Sequence, residues 1–348
     1  MERISILGFI LAILYFITTE LACNGYTHMS NNIQSEQEAL IDFKSGLKDP
    51  NNRLSSWKGS NYCYWQGITC EKDTGIVISI DLHNPYPREN VYENWSSMNL
   101  SGEIRPSLTK LKSLKYLDLS FNSFKGMAIP QLFGSLKNLL YLNLSGAEFS
   151  GTIPSNFRNL SNLQYLDLSN WQYLDLYSED MSYDDFEYFN DLSIGNIEWM
   201  ASLVSLKYLG MDYVDLSSVG SEWVEVLNKL PILTELHLHG CSLSGSIPSP
   251  SFVNFTSLCV ISINSNQFIS MFPEWLLNVS SLGSIDISNN QLHGRIPLGL
   301  GELPNLQYVD LSDNDNLRGN ISQLLRKSWK KIEFLNFHRN ELHGKFFS

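Results

Sequence analysis

Few side chains in this 348-residue chain sit at spacings that do chemistry. His237 and His239 lie two apart, which puts both rings on one side of an extended segment. That spacing suits a metal ion, but no third ligand follows, and a zinc site needs three or four protein ligands. No glycine-rich phosphate loop occurs, and no Ser/His/Asp or Cys/His set is placed to build a nucleophile. Paired carboxylates occur only at periodic positions. Catalysis, a cofactor and a bound metal are therefore not expected. The formal net charge of −12 repels phosphate, so nucleic acid is not an expected partner, and docking on anionic lipid is disfavoured.

The five cysteines raise the question of compartment. Arg3 precedes an apolar run from Ile4 to Ile17, interrupted by Ser5 and Gly8 and ended by Glu20. The run is too short to cross a bilayer, which takes ~20 residues, and fits a secretory signal over 1–25. Cys23 leaves with it. Cys63 and Cys70 are expected to be bridged in an oxidising compartment; Cys241 and Cys259 are expected to be two buried thiols. No later segment is apolar and long enough to be a transmembrane span. Sequons begin at Asn94, Asn99, Asn143, Asn159, Asn254, Asn278 and Asn320, as in a glycoprotein. Asn143 lies between two strand leucines, so a glycan there would shield the face it projects from.

These residues must be positioned by something, and the chain repeats. The pattern L-x-x-L-x-L-x-x-N-x-L-x-G-x-I-P recurs from Leu114, Leu139, Leu163, Leu206, Leu233, Leu258, Leu282, Leu306 and Ile332, with a degenerate earlier copy around Ile80 and Leu82. A period in the twenties predicts a leucine-rich-repeat solenoid, an α/β repeat with a curved parallel sheet on its concave face. The two apolar residues of L-x-L share a strand face and point into the core. Asn122, Asn266, Asn290, Asn314 and Asn340 are expected to satisfy backbone groups where the chain leaves the strand. Ala147, Trp171, Val214 and Cys241 replace them, and those turns are expected to be less regular.

A single repeat cannot bury its own apolar face, so the ends need caps. Residues 26–74 read as an N-terminal cap. Ser35 and Glu38 form a capping box before a helix with Leu40, Phe43 and Leu47 on one face; Gly46 and Pro50 end it. Trp57 and Trp65 offer apolar surface to the first repeat. Residues 75–348 then hold about ten repeats, with insertions at 83–99 and 172–198 and no C-terminal cap.

Three stretches carry a family resemblance: the cap ALIDFKSGLKDPNNRLSSW…CYWQGITC, the tail L-x-G-x-I-P as in LHGRIP at 292–297, and SEWVEVLNKLPILTELHLHGCSLSG at 221–245. From about Glu36 to Ser348 the chain resembles the ectodomain of plant leucine-rich-repeat receptor-like proteins. The third stretch resembles the subgroup that contains receptors for fungal xylanase. The resemblance implies a plasma-membrane receptor without a kinase domain, acting in defence or development with a receptor kinase as co-receptor. Many relatives have a double cysteine where Tyr62 and Cys63 stand, so one bridge is expected to be lost here and the cap less constrained. Complete relatives have more repeats, a membrane span and a short tail, so this chain is expected to be truncated.

The concave strands carry two outward rows. Tyr116, Tyr141, Tyr165, Tyr208 and Tyr308 form one; Asp118, Asn143, Asp167, His237, Ser262, Asp286, Asp310 and Asn336 form the other, with His239 beyond His237. The tyrosines and acids, with His237 and His239, are the candidate ligand-binding residues, tyrosine as anchor and the acids favouring a basic partner. Solvated repeat positions that only add strand propensity are the competing account. The insertion at 172–198 is acidic and aromatic, without Lys or Arg, and reads as a recognition loop. The expected function is extracellular recognition of a protein, peptide or glycan ligand. A secreted inhibitor of a pathogen cell-wall-degrading enzyme is the alternative; such inhibitors look similar in length and repeat type but carry a cysteine-paired C-terminal cap and no acidic insertion.

Overall fold

The computed structural model describes residues 29–85, 98–170 and 192–344. The signal segment, Trp171 and most of both insertions, including the sequon at Asn94, lie outside the described residues. Helix α1 spans Met29–Gly46. An eleven-stranded sheet follows, its strands in chain order: β1 Ile68–Cys70, β2 Val77–Asp81, β3 Tyr116–Asp118, β4 Tyr141–Asn143, β5 Tyr165–Asp167, β6 Tyr208–Gly210, β7 Glu235–His237, β8 Val260–Ser262, β9 Ser284–Asp286, β10 Tyr308–Asp310 and β11 Phe334–Asn336. β1 and β2 pair antiparallel; every later pair is parallel and in register, one repeat per strand.

The L-x-L residues do what alternation demands. Leu117, Leu142, Leu166, Leu209, Leu236, Ile261, Ile285 and Val309 are buried in one core that runs from the cap to Leu324. Behind the sheet, short 3₁₀ turns such as Ser155–Asn159 and Leu298–Glu302 return the chain along the convex side. The L-x-G-x-I-P tails form a second layer of short strands, as where His293–Arg295 pairs with Asn316–Asn320.

The asparagine ladder joins the repeats. Asn314 is completely buried. Its Nδ2 donates to the carbonyls of Leu311 in its own repeat and Ile287 in the one before, at 3.1 and 3.0 Å, while Oδ1 accepts the Leu292 N–H at 2.9 Å. Asn122, Asn266 and Asn290 repeat this arrangement. Cys241, which replaces the amide, donates its thiol to the Met211 carbonyl of the preceding repeat at 3.1 Å, so that turn keeps its cross-repeat bond. Substituted turns also keep a left-handed step in front of the replaced residue, at Gly146, Tyr213 and Gly240. They are more regular than their sequences suggest.

The cap departs from expectation in two places. Ser35 and Glu38 lie inside α1, so they are not its N-terminal capping box. Instead the buried Glu36 carboxylate accepts the Val77 N–H at the start of β2 at 2.9 Å, with burial raising its pKa. The Cys63–Cys70 disulfide is formed. Tyr62, in the place of a cysteine, is buried; it packs edge-on against Trp65 and donates to the Gly75 carbonyl at 3.0 Å, with burial and Glu36 pushing its phenol up to about 12. Trp65 stacks on Trp57, centroids 5.4 Å apart. At Gly102 the chain comes so close to the end of α1 that a Cβ would lie 2.5 Å from the Gly46 carbonyl oxygen.

Replacing Asn314 with Ala strands buried carbonyls in two repeats. It should cost about 2–3 kcal/mol in urea unfolding, with the m-value unchanged.

Candidate ligand-binding face

The concave sheet divides into two stretches. On β3, β4 and β5 every residue is buried, including those that face outward. On β7, β8 and β9 the outward residues are half-exposed and only the central residue is buried.

The tyrosine row explains the first stretch. In-register parallel strands lie about 4.8 Å apart, so identical aromatics stack face to face. Ring centroids are separated by 4.2 Å for Tyr116–Tyr141, 4.3 Å for Tyr141–Tyr165 and 4.2 Å for Tyr165–Tyr208. Tyr116, Tyr141 and Tyr165 keep 6, 2 and 3% of their surface, so the rings are a packed ladder and not free anchors. Burial, with the neighbouring carboxylates, pushes their phenols above the ordinary range. Tyr208 and Tyr308 are half-exposed; Tyr308 stacks on Phe334 at 4.5 Å. Between these two tyrosines the row holds Glu235, Val260 and Ser284, so the aromatic wall drops away over β7–β9.

The acidic row is also spent internally. Oδ1 of Asp118, Asp286 and Asp310 accepts both the N–H and the hydroxyl of the serine two residues on, at 2.6–3.0 Å. Asp167 accepts the Ser169 N–H at 3.0 Å. This is an Asx turn that steers each chain off its strand. Asp118, Asp167 and Asp310 are buried; Asp286 is half-exposed. The expectation that all four face a partner freely is corrected on this ground. The Asp167 carboxylate has space because Gly210 stands opposite in register, where a Cβ would lie 2.6 Å from Oδ1.

His237 and His239 sit at the open part of the sheet. The His237 ring lies 5.2 Å from that of Tyr208. Its Nε2 is 3.6 Å from Glu235 Oε2, near enough to attract but too far for a hydrogen bond. Burial opposes the His237 cation, but Glu235 and Asp212 outweigh it and raise the pKa. His239 Nε2 meets the Tyr213 hydroxyl at 2.6 Å, while its Nδ1 is buried without a hydrogen-bond partner among the described residues. Asp212, which accepts the His239 N–H at 2.8 Å, is pushed up to about 6 by burial, against the pull of His237. Asp212 and Glu235 were not singled out from sequence: Asp212 lies past the strand pattern, and Glu235 interrupts the tyrosine row.

Other sequence expectations change with the fold. Asn143 is buried and its Nδ2 donates to Asp118 Oδ2 and the Tyr141 hydroxyl, both at 3.3 Å, so a sugar on that nitrogen is incompatible with this packing. Asn159 and Asn278 are exposed at the ends of convex 3₁₀ turns. Asn99, Asn254 and Asn320 are half-buried; Asn320 caps the short helix Ile321–Leu324. Cys241 is a buried free thiol, but Cys259 is exposed, not buried, because it precedes β8 on the sheet rim.

No helix among the described residues is long and apolar enough to cross a membrane. A stack of identical strands and asparagine-bridged turns defines a leucine-rich-repeat protein, and the comparisons agree. Residues 99–347 match the family described as "Leucine-rich repeat region", and 33–71 match "Leucine rich repeat N-terminal domain". The chain belongs to the leucine-rich-repeat family. It is similar to two tomato (Solanum lycopersicum) proteins, Receptor-like protein EIX1 and Receptor-like protein EIX2. Identity is 35% over 76% of this chain and 24% of EIX1, and 38% over 71% of this chain and 22% of EIX2. The chain thus spans about a quarter of these relatives. Among solved structures it is similar to the Arabidopsis receptor kinase HAESA, crystallised with the peptide hormone IDA and the co-receptor SERK1. The TM-score is 0.66 and identity 28%, over 88% of this chain and 50% of that one.

Two predictions follow from the packing of this face. Gly210→Ala should overpack against Asp167 and cost about 1–3 kcal/mol in thermal or urea unfolding. Folded Asp212 ionises near 6, whereas an unfolded Asp ionises near 3.9, so raising the pH across about 4 to 6 favours unfolding. His237, with its raised pKa, loses stabilisation above that window, and Asp167 and Asp286, raised by burial, act in the same direction as Asp212. Unfolding midpoints should therefore be higher at pH 5 than at pH 7.5. Asp212→Asn should shrink that difference; an unchanged difference counts against this assignment.

Proposed function

We propose that this chain is a ligand-recognition region of a plant receptor-like protein and works outside the cell, delivered there by residues 1–25. The ligand is a protein, peptide or glycan that lies on the concave stretch from β7 to β10. A receptor-kinase co-receptor approaches from the side, and the receptor serves defence or development signalling. The relatives support the receptor class; HAESA, with its peptide hormone and co-receptor, supports the mode of assembly.

One observation carries the choice of surface. The sheet is closed by stacked tyrosines over β3–β5 and open over β7–β9. The strand positions from Tyr208 to Asn336 hold the half-exposed Glu235 and Asp286 and no Lys or Arg, which favours a ligand with basic groups. Binding of this kind uses complementarity over an extended surface and makes or breaks no covalent bond.

A displayed library of short peptides, selected on the purified chain, tests the reading. Selected peptides should be rich in Lys and Arg. Ser262→Arg, in the middle of the open stretch, should weaken them at least ~10-fold, which is about 1.4 kcal/mol. Gln131→Arg on the convex side should leave them unchanged. Peptides that bind the Ser262→Arg chain as well as the parent, or no enrichment at all, would overturn it.

A further inference from the structure

Asp81 ends β2 and lies in register beside Asp118 on β3. Matching residues of neighbouring parallel strands project to the same face, so the two carboxylates face the same space. His83 follows Asp81 by two residues and brings its ring back to that point, where Nδ1 is hydrogen-bonded to Asp81 Oδ1 at 2.5 Å, a bond that a metal ion would replace with release of the proton. One donor atom from each of Asp81, His83 and Asp118 lies within 4.8 Å of the others. Two oxygens and an imidazole nitrogen thus converge from three residues.

The surroundings fix these donors in place. Arg53 donates to the carbonyls of Leu82 at 3.1 Å and His83 at 2.6 Å, which ties down the backbone that carries the imidazole. The Asn84 N–H reaches the Ser120 carbonyl at 2.9 Å, pinning the same segment to the neighbouring repeat. Ser120 holds Asp118 Oδ1 through its N–H and its hydroxyl, while the Tyr116 and Tyr141 hydroxyls and Asn143 Nδ2 approach Oδ2 at 3.3–3.4 Å, so a bound ion would share this oriented carboxylate with those donors. Supporting bonds of this kind set ligand geometry in metal sites. Arg53 directs its remaining donors at the Met98 carbonyl and Asn122 Oδ1, and among the described residues neither carboxylate forms an ion pair with Lys or Arg. Asp118 is buried, Asp81 half-buried and His83 exposed, so the set opens to solvent on one side. Beside Asp81 and His83 a cavity of about 380 Å³, lined also by Arg53, Gln66 and Met98 but not by Asp118, leaves room for water to complete a coordination shell.

We propose that Asp81, His83 and Asp118 form a three-ligand site for a divalent transition-metal ion, with Zn²⁺ the best match to the mixed donor set. Calcium and magnesium prefer oxygen ligands alone, whereas imidazole with carboxylate suits zinc and its first-row neighbours. The site lies at the first repeat, away from the open stretch of β7–β9, and does not depend on the proposed function. It joins the segment after β2 to β3, so its expected role is to clamp the first repeats together.

The test uses chelator-treated full chain and Zn²⁺ alone. Calorimetric titration should show one saturable site per chain, and Zn²⁺ should raise the unfolding midpoint. His83→Gln and Asp81→Asn should each lose at least ~10-fold in affinity, with the loss of the midpoint shift. His83 is exposed, so its variant should fold; matching midpoints of the metal-free proteins establish this. Co²⁺ should give a visible ligand-field band that His83→Gln changes. The proposal is overturned if no saturable uptake occurs. It is equally overturned if uptake is unchanged in both variants, or if Ca²⁺ competes as well as Zn²⁺, because the carboxylates would then be acting without the imidazole.

Discussion

Every repeat in this molecule leaves its turn carbonyls and its apolar strand face for a neighbour to satisfy. The buried asparagine side chain expresses that dependence most directly. It bonds a carbonyl of its own turn and one of the turn before, and accepts an N–H from the tail of the preceding repeat. Breaking it strands groups in two repeats at once. The parallel register of the sheet, and with it the position of every concave side chain, follows from this stacking. Cys241 shows how narrow the requirement is: a thiol that reaches the Met211 carbonyl keeps the cross-repeat bond that the amide would make.

The same register decides what the concave face can offer. Equal spacing of strands makes a column of tyrosines stack, and a stacked column shields its own faces. It also buries the neighbouring Asp row, whose carboxylates are already engaged by the serine two residues on. Where Glu235, Val260 and Ser284 replace tyrosine, the column stops and the sheet opens. A surface for recognition therefore arises from interruptions of the repeat pattern. Burial raises the pKa of acids in both parts, of Asp118 and Asp167 under the closed column and of Asp212 beside the open one.

At the first repeat the molecule solves a different problem. The helix and the first strands must close an edge that a repeat cannot close alone. Glu36 holds the start of β2, stacked Trp57 and Trp65 cover the core, and Tyr62 fills the place of a second cysteine with a buried ring and a hydrogen bond. Expecting a loose cap from the missing bridge overlooked this ring: counting cysteines registers a lost crosslink but not the packing that occupies its position.

Periodicity alone determined the architecture of this protein. Leucines at fixed offsets can be buried only by stacking, so strand positions, core residues, the asparagine ladder and the outward rows were all legible from spacing. Even the Cys63–Cys70 bridge was legible, from proximity and compartment. Exposure was decided only in three dimensions. The alternation of L-x-L says that Tyr116 and Asp118 point outward, but not that the next repeat's ring lies 4.2 Å away and removes the first from solvent. Nor does it say that Asn143 gives its amide to Asp118, or that Gly210 makes room for Asp167. Asp81 and Asp118 are 37 positions apart in sequence and adjacent in register, so their approach to His83 became visible only once the strands were paired. A repeat pattern specifies direction, because direction is a property of one strand. Burial and convergence are properties of neighbouring strands, and these the fold alone brings together.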